Sequence, residues 1–146
     1  MLLAIIGENC SGKSTLAKAV QGAFGGEIVT GKDYVRLAKS EAEAEVLFRV
    51  KLQKAVTEGP LIYVISEPEQ LAFLPVGTVR VLVKTELDII KERFRKRMRG
   101  NLPIPVEQML ERKHGQFDQG TYDYVHDGAK GDPQELCSFL NLHFAR

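Results

Sequence analysis

Cysteine is almost missing from this chain: of 146 residues only Cys10 and Cys137 carry a thiol, and they lie far apart. Two such residues make a poor disulfide framework, and no metal-ligand spacing surrounds either, so a reducing compartment is expected. Excess charge is missing too. Twenty Lys and Arg against 19 Asp and Glu leave a net charge of +1, which gives no whole-protein field for nucleic acid or for a membrane surface. Long apolar runs are absent. Met1 to Ile6 is apolar but short, has no basic leader, and nothing approaches the ~20 residues of a membrane span, so a cytoplasmic protein is expected. There is no internal repeat, low-complexity tract or linker, and the length suits one domain, 1–146.

What is present is an alternation of strands and helices. Leu2–Ile6 is a short apolar run closed by Gly7, the mark of a strand buried on both faces. Leu16, Val20 and Phe24 recur every four residues and predict a helix from Lys13 to Phe24, stopped by Gly25-Gly26. Glu27–Thr30 reads as a second strand. Ser40 and Glu43 have capping-box spacing before a helix with Ala44, Leu47, Phe48, Leu52 and Ala55 on one stripe, ended by Gly59-Pro60. Leu61–Ile65 and Thr78–Val83 are further strands, and a short helical piece is expected between them. A helix is expected from Thr85 to about Arg99 with Leu87, Ile90, Phe94 and Met98 inward. Another should run from Pro105 to His114, a fifth strand over Tyr122–His126, and a last helix over Pro133–Phe144 behind the Asp132 cap. Such alternation predicts a mostly parallel sheet covered on both faces.

Between the first strand and the first helix stands Gly7-Glu8-Asn9-Cys10-Ser11-Gly12-Lys13-Ser14, a P-loop. Its four fixed positions arise by chance in about one chain of this length in a couple of hundred, and the strand–loop–helix context is the one the chemistry needs. Gly7 lets the chain leave the strand sharply. The turn presents backbone N–H groups to phosphates at the positive end of a helix. Gly12 admits phosphate where a Cβ would block it. Lys13 would reach the β- and γ-phosphates, and Ser14 would coordinate Mg²⁺. Gly7, Asn9, Cys10, Ser11, Gly12, Lys13, Ser14 and Thr15 are the candidate ATP-binding residues. Cys10 is a candidate for alkylation that bound ATP would block.

Small GTPases are set aside because no Asn-Lys-x-Asp sequence and no Asp-x-x-Gly at the end of the third strand occur. The layout resembles the nucleoside monophosphate kinase superfamily, over nearly the whole chain. Ile28-Val29-Thr30-Gly31 with Arg36 is similar to the acceptor stretch of adenylate kinases. The helix with Arg93 and Arg97, a proline-containing loop and a second helix is similar to the family's lid. Tyr122-Asp123-Tyr124-Val125 is similar to the last strand of guanylate kinases. The resemblance implies a three-layer α/β/α fold with sheet order 2-3-1-4-5, a short lid near 99–105, and an acceptor cleft beside the second strand. It also implies transfer of the γ-phosphate of ATP with Mg²⁺ as cofactor.

Arg93 and Arg97 lie one turn apart on a shared face. From Lys84 to Arg99 seven basic and three acidic residues give a local net of +4, suited to charge that shifts during phosphoryl transfer. Lys13, Arg93 and Arg97 are therefore the catalytic candidates, with Arg112 a weaker one. Asp33 and Arg36 are acceptor-site candidates; Asp33 or Glu67 would support Mg²⁺ beside Ser14. Tyr34, Tyr63 and Phe73 could stack on an acceptor base, although Tyr63 fits a buried strand. Arg49 reads as a surface residue. The histidines carry no assigned chemistry. By position, Asp127, Gly128 and Lys130 fall where the family forms its adenine pocket. The expected partners are ATP and a small-molecule acceptor, a nucleotide or nucleoside first. The alternatives are a non-nucleotide metabolite, a polynucleotide end, or a regulatory module that only binds or hydrolyses ATP.

Overall fold

A computed structural model describes residues 1–144. Its strands are β1 (Leu2–Gly7), β2 (Glu27–Thr30), β3 (Leu61–Ile65), β4 (Val79–Lys84) and β5 (Tyr124–Asp127). Its helices are α1 (Lys13–Phe24), α2 (Glu41–Thr57), α3 (Leu87–Arg97), α4 (Ile104–Lys113) and α5 (Pro133–Phe144), with 3₁₀ turns at Asp33–Leu37 and Pro68–Phe73. All four strand pairings are parallel and the order is β2-β3-β1-β4-β5. This is the expected three-layer α/β/α arrangement, with the strand that feeds the P-loop at the centre.

Period-two alternation along β1 divides the core. Leu2, Ala4 and Ile6 point to one face, where Ala44, Phe48, Leu52 and Ala55 of α2 cover them. Leu3 and Ile5 point to the other, against Leu16, Ala17 and Val20 of α1 and Leu136, Cys137 and Leu140 of α5. Every residue of β1 and β3 is buried, which is why both read as unbroken apolar runs rather than alternating ones. Among the described residues no helix is long and apolar enough to cross a membrane.

Element ends differ from the sequence expectation where side chains act on backbone. Ser40 Oγ accepts from Glu43 N–H at 3.2 Å and caps α2 as expected. α3 begins at Leu87 rather than Thr85, because Thr85 is buried and its hydroxyl donates to the Ser11 carbonyl at 2.7 Å. Of the four residues expected inward on α3, only Ile90 is fully buried. β5 begins at Tyr124 rather than Tyr122. Tyr122 turns its hydroxyl back to the Phe117 carbonyl, and the Asp123 carboxylate accepts from Arg80 N–H at 2.8 Å.

Candidate active site

The P-loop is held by its carbonyl oxygens. Thr85, at the end of β4, takes the Ser11 carbonyl. Arg93 reaches from α3 and donates to the Cys10 carbonyl at 3.1 Å and to the Gly128 carbonyl at 2.7 Å. Lys13 Nζ donates to the Glu8 carbonyl at 2.7 Å. In a planar trans peptide the N–H opposes the C=O. Holding the Ser11 carbonyl on Thr85 therefore directs the Gly12 N–H the other way, toward the cleft that Gly12 lines. Gly12 has φ of +109° at the start of α1, a conformation that needs glycine. Cys10 has φ of +62°, costly for a residue with a Cβ, and the Arg93 bond to its carbonyl helps keep it there.

The loop borders a cleft of ≈ 660 Å³. Lys13, Ser14, Arg93 and Arg97 line it together; Thr30, Val64 and Ser66 form the wall at the β2 and β3 ends, and His126 of β5 with Gly128 and Gly131 beyond it the opposite wall. Asn9, Cys10, Gly12 and Thr15 also face it, whereas Ser11 is buried behind the loop with its Oγ unpartnered. Gly7 packs so closely that a Cβ there would stand 2.7 Å from Ser11 Oγ and 2.8 Å from the Val83 carbonyl. Lys91 and Arg95, on the other shoulder of α3, are taken up by carboxylates: Lys91 by Glu111 at 2.8 Å and Arg95 by Glu92 at 2.6 Å. Arg97 is exposed and has no ion-pair partner among the described residues.

Burial, with a smaller contribution from nearby Arg97, lowers the Lys13 ammonium to about 8 against the opposing pull of Cys10, Glu8 and Glu67. Free Lys13 thus loses its proton through pH 8, and phosphate needs the charged form. ATP affinity is predicted to be constant below pH 7.5 and to fall by up to about tenfold from pH 8 to 9, where phosphate groups are already ionised. Calorimetric titration across that range checks this. A Lys13→Arg variant, charged throughout, should give a flat profile; a flat wild-type profile contradicts the account.

Several groups at the site could not be found from sequence spacing. The end of α4 leans on the loop from more than 100 residues away: His114 Nδ1 lies 3.0 Å from a Glu8 carboxylate oxygen, and Gly115 N–H donates to the other at 3.2 Å. Lys113, rather than the expected Arg112, reaches inward and donates to Glu67 at 3.0 Å. Glu67 sits at the end of β3, near enough to influence Lys13. His126, which carried no assigned chemistry, is buried in the cleft wall; burial lowers its pKa, and its Nδ1 has no partner.

Asp33 and Arg36 are not brought to the cleft. Asp33 accepts from Thr30 N–H at 3.0 Å, closing the turn after β2, and with Arg36 it lines a separate depression of ≈ 220 Å³ against Phe48 and Lys51. The aromatic candidates are likewise removed from it. Tyr34 stacks on Phe48 at 5.0 Å, and Phe73 and Tyr63 pack against Phe48 at 5.3 and 5.0 Å, all in the core under α2. Arg49 donates to the Ala72 carbonyl at 3.0 Å and lies over the Phe73 ring.

Gly128 has no room for a side chain. A Cβ there would fall 1.9 Å from Thr85 Oγ1 and 2.1 Å from the Ser11 carbonyl, on the very bond that holds the loop. Gly128→Ala should destabilise the fold by about 1–3 kcal/mol, as overpacking does, and weaken ATP binding as the loop shifts. Thermal melts with and without ATP check both; unchanged ATP affinity would contradict the role given to the Thr85 bond.

The donor set fits Mg-ATP. Among the described residues no cluster of three or more His, Cys, Asp or Glu could hold a metal by itself. A hydroxyl at Ser14, in the cleft lining, and the Glu67 carboxylate, which Lys113 holds at 3.0 Å, would be the hard oxygen donors of a cation that keeps most of its contacts with phosphate and water.

No family model matches the sequence, and no curated protein does. Solved structures do match. A shikimate kinase from Acinetobacter baumannii in complex with shikimate aligns over 99% of this chain and 93% of its own, with TM-score 0.65 and 16% identity. A sugar kinase from Janibacter sp. HTCC2649 aligns over 99% and 95%, with TM-score 0.66 and 18% identity. A gluconokinase from Sinorhizobium meliloti 1021 aligns over 97% and 95%, with TM-score 0.59 and 15% identity. The chain has the P-loop kinase fold of these proteins. The likeness does not single out adenylate or guanylate kinases.

Proposed function

We propose that this protein is an ATP-dependent kinase that moves the γ-phosphate of ATP to a hydroxyl of a small, non-nucleotide metabolite. The observation that carries the reading is the convergence of Lys13, Ser14, Arg93 and Arg97 on one cleft at the end of the central strand. The expectation of a nucleotide or nucleoside acceptor gives way for a physical reason. Tyr34, Tyr63 and Phe73, the rings that could have stacked on a base, are packed on Phe48 in the core. The structural neighbours, a shikimate kinase, a sugar kinase and a gluconokinase, agree with a hydroxylated acid or sugar.

In this reading the loop N–H groups and Lys13 hold the phosphates. Ser14 and Glu67 would hold Mg²⁺, which would supply positive charge to neutralise the phosphates. The acceptor oxygen forms a bond to the γ-phosphorus as the bond to the ADP oxygen breaks. Arg97 meets the charge on the group in flight, and Arg93 holds the loop that grips the donor. The loop 98–103 between α3 and α4 acts as a short lid. ATP consumption measured against three arms, hydroxylated carboxylic acids and sugars, nucleotides and nucleosides, and no acceptor, tests the reading. Stimulation in the first arm is expected. Stimulation by nucleotides alone would return the acceptor to that class, and a rate independent of every acceptor would leave an ATP-hydrolysing regulatory module.

A further inference from the structure

α2 is apolar on two sides. Its inner side, Ala44, Phe48, Leu52 and Ala55, is buried on the sheet. On the outer side Val46, Leu47 and Val50 are 63%, 48% and 49% exposed. These residues do not lie scattered. Glu43, Leu47, Val50 and Lys54 follow one another at steps of four, three and four, which places them in a single row along the helix. The row is a polar residue of one sign, two apolar residues, and a polar residue of the other sign. This double-sided apolarity is also why Leu47 read from the sequence as part of the core stripe.

We infer that two copies of the chain pair through this row as a two-fold dimer, with the α2 helices antiparallel. In such a pair each residue faces the one equally distant on the other side of the dyad. Glu43 and Lys54 share their midpoint with Leu47 and Val50, between Phe48 and Arg49. One axis therefore brings Leu47 onto the partner's Val50, and Glu43 onto the partner's Lys54, twice each. Val46, on one flank of the row, meets the partner's Gln53 on the same flank. Neither Glu43 nor Lys54 has an ion-pair partner among the described residues, so both are available to pair across the axis. The Glu43 carboxylate is free because only one arm of the capping box forms: Ser40 Oγ takes the Glu43 N–H. A heterologous partner would need no such symmetry of charge about a point; a second copy does.

The contact is short. Seventeen residues make a helix of about 25 Å, less than the ~800 Å² per partner of a standard interface calls for, although exposed Val35 and Leu37 on the adjoining 3₁₀ turn add apolar surface. A micromolar dissociation constant is the expectation. Sedimentation velocity on the full chain, from low micromolar to submillimolar concentration, reads it directly. The wild type should shift from monomer to dimer. Leu47→Glu should be monomeric throughout, with an unchanged melting temperature because the position is outside the core. Glu43→Lys and Lys54→Glu should each weaken the dimer about tenfold or more, by setting like charges opposite one another. The double variant E43K/K54E should restore it, a rescue that misfolding cannot mimic. A chain that stays monomeric at every concentration overturns the inference. So does a dimer indifferent to Leu47→Glu, or single charge variants that the double variant fails to rescue.

Discussion

Lys13→Ala should lower phosphoryl transfer by about two to three orders of magnitude, the cost of losing a preorganised charged donor, while the fold survives. The structure explains why the two effects separate. Lys13 is 6% exposed, and its ammonium bonds to a single loop carbonyl, that of Glu8. A buried ammonium is held at a desolvation cost, expressed in its lowered pKa. Removing it therefore loses one hydrogen bond and relieves one burial penalty, and stability should move by no more than about 1 kcal/mol. Turnover at saturating ATP and acceptor, set beside a thermal melt, checks both halves. A variant with near-normal turnover would mean that the loop does not act on phosphate.

The arginines of α3 should fail in different ways. The sequence places Arg93 and Arg97 on one face and treats them alike; the structure gives them different work. Arg93 already spends its guanidinium on the Cys10 and Gly128 carbonyls and so ties the P-loop to the segment after β5. Arg93→Ala should raise the Michaelis constant for ATP, lower turnover, and lower the melting temperature, since it orphans two carbonyls. Arg97, unpaired within the described residues but lining the cleft, has nothing to hold until phosphate arrives. Arg97→Ala should lower turnover by about 2–4 kcal/mol in the barrier and leave the Michaelis constant for ATP within about threefold, the sign of a contact made in the transition state. Lys91→Ala and Arg95→Ala are the controls, because Glu111 and Glu92 already occupy those side chains at the surface. If the controls lose as much turnover as Arg97→Ala, the shared face has no special place in the chemistry.

The parts of this site that sequence makes legible are those governed by local rules. The P-loop is contiguous, and its strand and helix are written in apolar period. The face shared by Arg93 and Arg97 follows from helical spacing alone. What is not legible depends on chain that returns from far away. His114 and Lys113 meet Glu8 and Glu67 only because α4 ends over the loop. Thr85 looks like a helix start until the Ser11 carbonyl claims its hydroxyl. Asp33 has the right distance in sequence from β2, but its short side chain closes on Thr30 N–H instead of reaching the cleft. The aromatic residues had two uses open to them, and only the packing of Phe48 against all three decides for the core.

The fate of one phosphorus atom tests the kinase activity most directly. ATP labelled at the γ-phosphate, incubated with Mg²⁺ and the acceptor that most stimulates ATP consumption, should yield label covalently bound to that acceptor. The yield should match the ADP formed, and label transfer should be abolished in Lys13→Ala. Label recovered only as inorganic phosphate, in an amount that no acceptor changes, would contradict it.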